Sequence, residues 1–190
     1  MNSIVLNLAG ARYPARLRER FQDRAPPEVT ALGNLDLLTL PMTALFCSAR
    51  CPGNVILAAH DQASRWRDEG RCVISGFHSP VEKECLRILL RGRQPVIVCP
   101  ARGLEGMRPP PGLKQPLSEG RLLVLSPFPA SERRATKDLA MARNQFAAAL
   151  ADEAVFAHIT PGGHLDQLSQ LIAGWGVSHG TLAAGSEPPS

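Results

Sequence analysis

The sequence lacks the features that would place a protein in or across a membrane. Its apolar stretches fall well short of the roughly 18 residues that a transmembrane helix needs. The N-terminal stretch MNSIVLNLAGARYPARLRERF contains an apolar patch, but it has no basic start and charges follow at once, which is not typical of a signal peptide. We therefore expect a cytoplasmic protein with no membrane partner.

Cysteine is scarce, and its five residues are an odd number. Cys72 and Cys99 fall in predicted buried strands and Cys85 in a helix, which is typical of small hydrophobic residues in a reducing compartment. Cys47 and Cys51 are four residues apart and do not have the spacing of a zinc knuckle. We expect neither a metal nor a cofactor.

The sequence also contains no familiar arrangement of catalytic residues. It has no Ser/His/Asp set with the spacing of a nucleophile elbow, no pair of carboxylates in one predicted cleft and no Walker loop. A binding protein is therefore favoured over an enzyme, and an enzymatic activity is left open.

Short apolar segments alternate along the chain with segments of helical periodicity. The 190 residues, 44% of them hydrophobic, are enough for one sizeable core and favour one domain over two. Apolar strands that alternate with helices predict an α/β fold: a three-layer, Rossmann-like, doubly wound and mostly parallel sheet. The predicted strands are 43–47, 72–75, 95–99, 122–126, 154–158 and 177–182, and the predicted helices are 54–69, 80–91, 136–150 and 165–174.

The segments outside this alternation complete the predicted domain organisation. Residues 1–40 are expected to be a lead-in that packs on the core, and residues 41–183 to be the Rossmann-like domain. The proline-rich stretch 103–116 is predicted to be a loop. The last residues, 184–190, are predicted to be a disordered tail.

The turn between the strand at 72–75 and the helix at 80–91 carries the most informative pattern. Ser79 and Glu82 have the spacing of a capping box, and Pro80 fits the first helical position. A helix that begins where a buried strand ends presents free N–H groups at the edge of the sheet, where α/β proteins bind phosphates. The turn therefore predicts an anion-facing βαβ unit.

Basic residues are concentrated in segments that follow predicted strands. The net charge is +4 and the pI is about 9.0, which is compatible with nucleic acid but does not require it. Because loops after parallel strands share one edge of the sheet, their cations can form one anion-binding surface. The residues concerned are Arg50, Arg102, Arg108, Arg133, Arg134, Lys137 and Arg143.

An ordered set of short motifs runs from Tyr13 to Gly176. Its members are Tyr13-Pro14 with Leu17, Pro26-Pro27, Gly33-Asn34, Ser48-Ala49-Arg50, Ser75-Gly76, Gly120–Pro127, Arg143-Asn144 and Gly162-Gly163. In this order they resemble the Rossmann-like domain of the DNA-processing protein A family (DprA, also called Smf). The resemblance implies a DNA-processing protein that binds single-stranded DNA at the carboxyl edge of the sheet, helps to load RecA during transformation and forms a homodimer.

The chain departs from the family pattern at two positions of that edge. Ser79 stands where the family's turn has an arginine, and Ser48 stands where the family has a glycine. The resemblance also extends to a wider group that includes the cytokinin-activating phosphoribohydrolases of the LOG type. A protein that binds a free nucleotide, or an enzyme that hydrolyses a nucleoside monophosphate, is therefore kept as the alternative function.

Individual residues of the predicted site have more than one interpretation. His78 either donates a hydrogen bond to an anion or acts as an acid/base group, or it is a plain polar residue of the loop. Glu82 is favoured as a helix cap over a catalytic carboxylate, and the Arg143-Asn144 pair is favoured as a ligand contact. Gly162-Gly163 is either a phosphate-binding turn or a plain turn. The candidate ligand-binding residues are Ser48, Arg50, Ser75, Gly76, His78, Ser79, Glu82, Arg102, Arg143, Asn144, Gly162 and Gly163.

Overall fold

The computed structural model describes residues 3–182, which form one eight-stranded sheet covered by helices on both faces. Two short 3-10 helices, Gln22–Arg24 and Leu35–Thr39, lie in the N-terminal part. The strands are β1 (Ile4–Asn7), β2 (Glu28–Gly33), β3 (Met42–Cys47), β4 (Cys72–Ser75), β5 (Val96–Val98), β6 (Leu122–Ser126), β7 (Glu153–His158) and β8 (Ser178–Thr181). The helices are α1 (Ala15–Phe21), α2 (Gly53–Asp68), α3 (Pro80–Leu90), α4 (Pro111–Ser118), α5 (Lys137–Leu150) and α6 (His164–Gly174).

The strand order β1-β2-β6-β5-β4-β3-β7-β8 is that of a doubly wound sheet with an antiparallel extension. The parallel part starts with β3 at its centre and continues through β4 and β5 to β6. The chain then returns through α5 to β7, which pairs with the other side of β3. The direction of winding therefore changes between β3 and β7, which is where such folds open a crevice at the carboxyl ends of the strands.

Two apolar layers hold the helices against the sheet. Helices α1, α5 and α6 pack on one face, against side chains such as Phe46 and Phe156. Helices α2, α3 and α4 pack on the other face, against side chains such as Leu45 and Val73. Because successive residues of a strand point to opposite faces, a strand between two helix layers is buried on both sides and mostly apolar, as β3 and β6 are. The predicted three-layer α/β fold is confirmed.

Residues 1–40 contribute more to the sheet than the sequence pattern predicted. Strand β2 pairs antiparallel with β6, and β1 pairs antiparallel with β2. Only one face of an antiparallel edge needs to be apolar, and in β2 the buried residues Val29 and Ala31 alternate with the more exposed Glu28 and Thr30. This weak pattern follows Pro26-Pro27, and no strand was predicted there.

The prediction of a loop over 103–116 is wrong for its second half, because Pro111–Ser118 forms α4. Pro111 occupies the start of this helix, where its missing N–H group has no cost. Pro116 lies inside the helix, where a proline removes one backbone hydrogen bond. The burial of Leu113 and Leu117 against the sheet offsets this loss.

Helix α1 anchors the end of α5. Arg20 donates from Nη1 to the carbonyl oxygens of Ala148, Ala149 and Ala151 at 3.2, 3.0 and 2.6 Å. Arg16 donates to the Leu150 carbonyl at 2.8 Å. A helix ends with carbonyl groups that have no partner within the helix, and the two arginines supply those partners for α5.

Among residues 3–182, no helix combines the length and the hydrophobicity that a membrane crossing requires. The tail predicted for 184–190 lies outside the described residues.

Candidate functional site

A crevice of about 430 Å³ opens at the carboxyl edge of the sheet, at the change of winding between β3 and β7. Its walls come from the loops after β3, β4 and β7 and from the first turns of α5 and α6. The pairing of β3 with β7 is irregular at this point, where the register shifts between Phe46 and Cys47. A bulge at a strand end turns the following loop, and here that loop carries Ser48 and Arg50.

Glu82 fixes the geometry of two of these loops from inside the protein. Its Oε1 accepts from the backbone N–H of Cys47 at 2.9 Å, and its Oε2 accepts from the N–H groups of His78 and Ser79 at 2.8 and 3.1 Å. The Ser79 hydroxyl accepts from the N–H of Glu82 at 3.2 Å, which completes the predicted capping box. Only 5% of Glu82 is exposed. Both of its oxygens are occupied in holding the loops after β3 and β4 in place.

The turn after β4 is backbone-strained and closely packed. Phe77 has a φ of 47°, in the left-handed region that a bulky side chain seldom adopts. Its N–H group donates to the hydroxyl of Ser75 at 3.2 Å, and its side chain is buried. Strain of this kind persists only where the surroundings enforce it, and it is concentrated at functional turns.

The absence of a side chain at Gly76 leaves space for the guanidinium of Arg143. A Cβ atom added at Gly76 would overlap the Nη1 and Cζ atoms of Arg143, so no larger residue fits without moving the arginine. Arg143 donates from Nη1 to the Cys99 carbonyl at 3.2 Å. The predicted glycine turn thus serves a side chain of α5 rather than presenting bare backbone to a ligand.

Arg143 is a buried cation without an ion-pair partner. It is only 4% exposed, yet it lines the floor of the crevice. Within residues 3–182 no carboxylate lies within 4.0 Å of it, and its buried Nε has no hydrogen-bond acceptor. Burial lowers the pKa of Arg143, and the Glu82 carboxylate acts in the opposite direction. A buried charge is costly unless it is paired, so this arginine is suited to an anion.

The mouth of the crevice is cationic, and one of its walls is apolar. The exposed residues Arg50, His78 and Lys137 surround the opening. Met141 of α5 and Leu165 of α6 form the apolar wall. Helix α6 begins after Gly163, which has no side chain that could cap the helix. Its first turn lines the crevice, so the N-terminal end of the helix dipole lies at this edge.

The structure brings most of the sequence-predicted residues to this crevice. Ser75 lies beneath it, fully buried, and Gly76 lies against Arg143. Gly162 is exposed beside it, with its N–H donating to Asp166 Oδ2 at 2.9 Å. The predicted residues that line the crevice are Ser48, Arg50, His78, Ser79, Glu82, Arg143, Asn144 and Gly163.

Arg102 does not join them, and the prediction of a single cluster is wrong for this residue. It lies with Arg108 and Arg133 in a separate depression between the loops after β5 and β6. Strand β4 separates β5 from β3 in the sheet. The Arg102 carbonyl is held by the Ser126 hydroxyl at 2.7 Å, which ties its loop to β6 and away from the crevice.

Several crevice residues were not predicted as site residues. They are Cys47, Ala49, Lys137, Ala140, Met141, Thr160, His164 and Leu165. From the sequence, apolar residues in a helix are expected to belong to the core. Only their position at the end of the helix near the carboxyl edge shows that they line the crevice. Thr160 and His164 flank Gly162-Gly163, and that glycine pair was the available signal.

A second cavity, of about 350 Å³, lies at the opposite, amino edge of the sheet. Its cation, Arg71, is paired with Glu153 at 3.0 Å and with Glu69 at 3.5 Å. Because that charge is already neutralised within the protein, the carboxyl-edge crevice is the stronger candidate for an anionic ligand.

The fold and this crevice define the chain as a Rossmann-like protein with a basic crevice at the change of winding. Comparison with known families gives the particular assignment. Residues 5–162 match the model of the DNA recombination-mediator protein A family. The chain belongs to that family, which confirms the resemblance seen in the sequence. No curated protein matches the chain in sequence.

Solved structures with the same fold include DNA processing protein A from Streptococcus pneumoniae, with a TM-score of 0.77 and 21% identity. The match covers 95% of this chain but only 63% of that protein. The Helicobacter pylori protein, described by its single-stranded DNA binding mode, matches with a TM-score of 0.75, 16% identity and coverage of 95% and 80%. A molybdenum cofactor binding protein from Rippkaea orientalis matches at 0.52 with 11% identity, covering 74% of this chain and 75% of its own.

Proposed function

We propose that this protein binds single-stranded DNA at the carboxyl-edge crevice and acts in DNA processing as a recombination mediator. The observation that carries the proposal is Arg143, a buried cation without a carboxylate partner on the floor of a crevice whose mouth is also basic. A phosphate group in the crevice would pair with the charge of the Arg143 guanidinium. Membership of the recombination-mediator family agrees with this assignment.

The arrangement favours contacts with the DNA backbone over recognition of base sequence. Arg50, Lys137 and Arg143 are cations, and the start of α6 at His164 adds backbone N–H groups. Donors of these kinds bind phosphate oxygens and carry no sequence information. The H. pylori relative is described as a single-stranded DNA binder, and we extend that activity to this chain as part of the proposal.

Hydrolysis of a nucleoside monophosphate, the alternative considered from the sequence, is not supported to the same degree. Its candidate carboxylate, Glu82, already accepts three backbone hydrogen bonds and is almost fully buried. A general base or nucleophile needs an oxygen that can reach the substrate. We therefore place Glu82 in the framework of the binding site.

A competition experiment tests the proposal. Labelled oligo-dT should bind at low salt, and a nucleoside monophosphate should displace it only at much higher concentration, because a strand makes several phosphate contacts. Arg50→Ala should weaken binding about tenfold. The matched control is Arg91→Ala, which removes another exposed arginine, at the far end of α3, and should leave affinity unchanged. Tight binding of the monophosphate without binding of oligo-dT would contradict the proposal.

Other properties implied by the resemblance belong to the same proposal. We expect a homodimer, which light scattering at several concentrations would detect, and a contact with RecA, which a pull-down with purified RecA would detect. The cytoplasm remains the expected compartment. Residues 41–183 are proposed as the DNA-binding domain, with 1–40 as its N-terminal extension.

A further inference from the structure

The loop between β3 and α2 carries two cysteines whose thiols interact. Cys47 is the last residue of β3, and Cys51 lies two residues before the start of α2. Both side chains belong to the apolar cluster under α2 and α3. Burial raises the pKa of the Cys47 thiol, and the charge of the neighbouring Cys51 thiol and a hydrogen bond with it raise that pKa further. The two sulfur atoms therefore lie within reach of each other.

The two thiols differ in their access to solvent. Cys51 is partly exposed, whereas only 6% of Cys47 is exposed. A reagent in solution therefore reaches Cys51, while Cys47 contacts Cys51 inside the protein without meeting the reagent. An accessible thiol beside a second, sheltered thiol is the arrangement in which oxidation of the first is followed by formation of a disulfide.

Cys85 lies in the same cluster, but its surroundings keep it from taking part in such a reaction. It is fully buried on α3, and its thiol donates to the Ala59 carbonyl of α2 at 3.6 Å. A bond to Cys85 would require one of two packed helices to shift. Cys51 lies in a loop, which can adjust while both helices stay in place.

Hydrogen bonds fix the loop firmly at its β3 end. The N–H of Cys47 donates to Glu82 Oε1 at 2.9 Å, and the N–H of Ser48 donates to the His158 carbonyl at 3.1 Å. The Ser48 hydroxyl also accepts from the N–H of Thr160 at 3.3 Å. Since these bonds hold Cys47 in place, a closer approach of the two sulfur atoms must move the second half of the loop.

Arg50 lies in that second half, directly before Cys51, and is exposed at the mouth of the crevice. A disulfide bond is about 2.05 Å long, much shorter than a contact between two thiols, so its formation draws Cys51 towards Cys47. We propose that Cys47 and Cys51 form an oxidation site, at which a hydroperoxide converts the two thiols to a disulfide that displaces Arg50 and weakens binding at the crevice. The disulfide does not depend on the proposed function, but its effect on binding rests on it.

With hydrogen peroxide the reaction has two balanced steps. The Cys51 thiolate attacks the peroxide, so that an S–O bond forms, the O–O bond breaks and one water leaves after protonation. The Cys47 thiol then loses its proton and attacks the sulfur of the resulting sulfenic acid, so that the S–S bond forms, the S–O bond breaks and a second water leaves. Because Cys47 is held protonated, the second step is the slower one. The two thiols lose two electrons in total, and the peroxide gains them.

Tryptic digestion after treatment with hydrogen peroxide tests for the disulfide. Trypsin cleaves after lysine and arginine and places the five cysteines in five different peptides, with Cys47 in 25–50 and Cys51 in 51–65. Once the remaining thiols are blocked, the treated protein should yield these two peptides joined by a bond that dithiothreitol cleaves. Cys51→Ser should yield no joined peptides. Cys47→Ser should stop at the sulfenic acid of Cys51, which dimedone traps.

Oxidation should also weaken the binding of oligo-dT by up to about tenfold, the loss expected for Arg50→Ala. Peroxide oxidises methionine as well, and Met141 lines the crevice. Dithiothreitol reduces a disulfide but not methionine sulfoxide, so it should restore the affinity of the wild-type protein. Cys51→Ser, treated in the same way, is the matched control and should show no loss of affinity that dithiothreitol reverses.

The outcomes separate this inference from the proposed function. Treated wild-type protein in which Cys51 stays a thiol, stops at an oxidised acid or is joined to any other peptide would overturn the oxidation site. Joined peptides with unchanged affinity would overturn the displacement of Arg50. If the reduced protein does not bind oligo-dT at low salt, the proposed function fails, and the joined peptides still decide whether the disulfide forms. Thermal melting verifies that each variant is folded.

Discussion

At the scale of single residues, the crevice depends on the absence of a side chain at Gly76. The guanidinium of Arg143 occupies the space that a Cβ atom of residue 76 would need. Gly76→Ala should therefore displace Arg143 and weaken binding of oligo-dT about as much as removal of the arginine. Affinity is measured by fluorescence anisotropy. Gly112→Ala is the control, because a Cβ there meets nothing within 4 Å and the backbone is not left-handed. Unchanged affinity of Gly76→Ala would show that the position of Arg143 does not matter.

Glu82 holds two loops together, and its charge is needed for this. An amide in its place would turn an NH₂ group towards one of the N–H donors of Cys47, His78 or Ser79. Leaving a buried donor unsatisfied costs about 1–3 kcal/mol, so Glu82→Gln should lower the free energy of unfolding by about 2 kcal/mol. Urea titration measures it. Glu84→Gln, two residues further along α3, removes only a surface ion pair with Arg87 and should change the midpoint little. Equal midpoints for the two variants would refute this role of Glu82.

The cysteines should differ sharply in reactivity. Burial raises the pKa of Cys72, Cys85 and Cys99 to about 12, and it also raises the pKa of Cys47. A thiol reacts as its thiolate, so these groups remain protonated and inert at about pH 8. Cys51 is the partly exposed cysteine, and all five are free. The native protein should accordingly release one equivalent of product with a thiol-disulfide reagent, and five after unfolding in urea. Rapid reaction of several thiols in the native protein would contradict the packing described for β3, β4 and α3.

What the sequence could predict at this scale follows from how local each signal is. The capping box of Ser79 and Glu82 was predicted because it depends on residues three positions apart, and the structure confirms it. The contact between Gly76 and Arg143 joins residues far apart in the chain, and no local pattern encodes it. The hydrogen bond from the Cys47 N–H to Glu82 also joins residues far apart in the chain.

At the scale of elements, the contact between α1 and α5 connects the N-terminal extension to the helix that carries Arg143. Arg20 supplies three of the hydrogen bonds that satisfy the end of α5. Its removal leaves carbonyl groups without their charged donor, so Arg20→Ala should cost about 2 kcal/mol. For a chain of this size the midpoint of thermal unfolding should fall by roughly 4–8 °C. Arg12→Ala, an exposed arginine of the same extension, serves as the control. A melting temperature equal to that of the control would show that α1 does not support α5.

The elements that were predicted correctly are those with strong periodicity and burial on both faces. Strands β3, β4 and β6 are mostly apolar and buried throughout, and the sequence predicts each of them to within a residue. Strand β2 lies at an antiparallel edge and has a mixed pattern, and α4 contains Pro116. In both cases tertiary packing outweighs the local preference of the residues, which a sequence alone does not reveal.

At the scale of the whole molecule, the topology explains which basic residues share a site. The loops after β3 and β7 meet because these strands are neighbours at the change of winding, and the first half of α5 lies at the same edge. Arg50 and Arg143 therefore meet, while Arg102 lies beyond β4 in its own depression. The sequence indicates that these residues lie at one edge of the sheet. Their separation into two sites along that edge depends on the strand order, which the sequence pattern does not give.

The most direct test of the account is the salt dependence of oligo-dT binding by the wild-type protein and by Arg143→Ala. Each phosphate neutralised by the protein releases condensed counterions, so the logarithm of the affinity should fall with the logarithm of salt by about 0.7 for each contact. If Arg143 binds a phosphate, its variant should bind more weakly and its slope should be shallower by about 0.7, with no change in preference among base sequences. An identical slope and affinity for a correctly folded variant would show that the buried arginine of the crevice does not bind DNA.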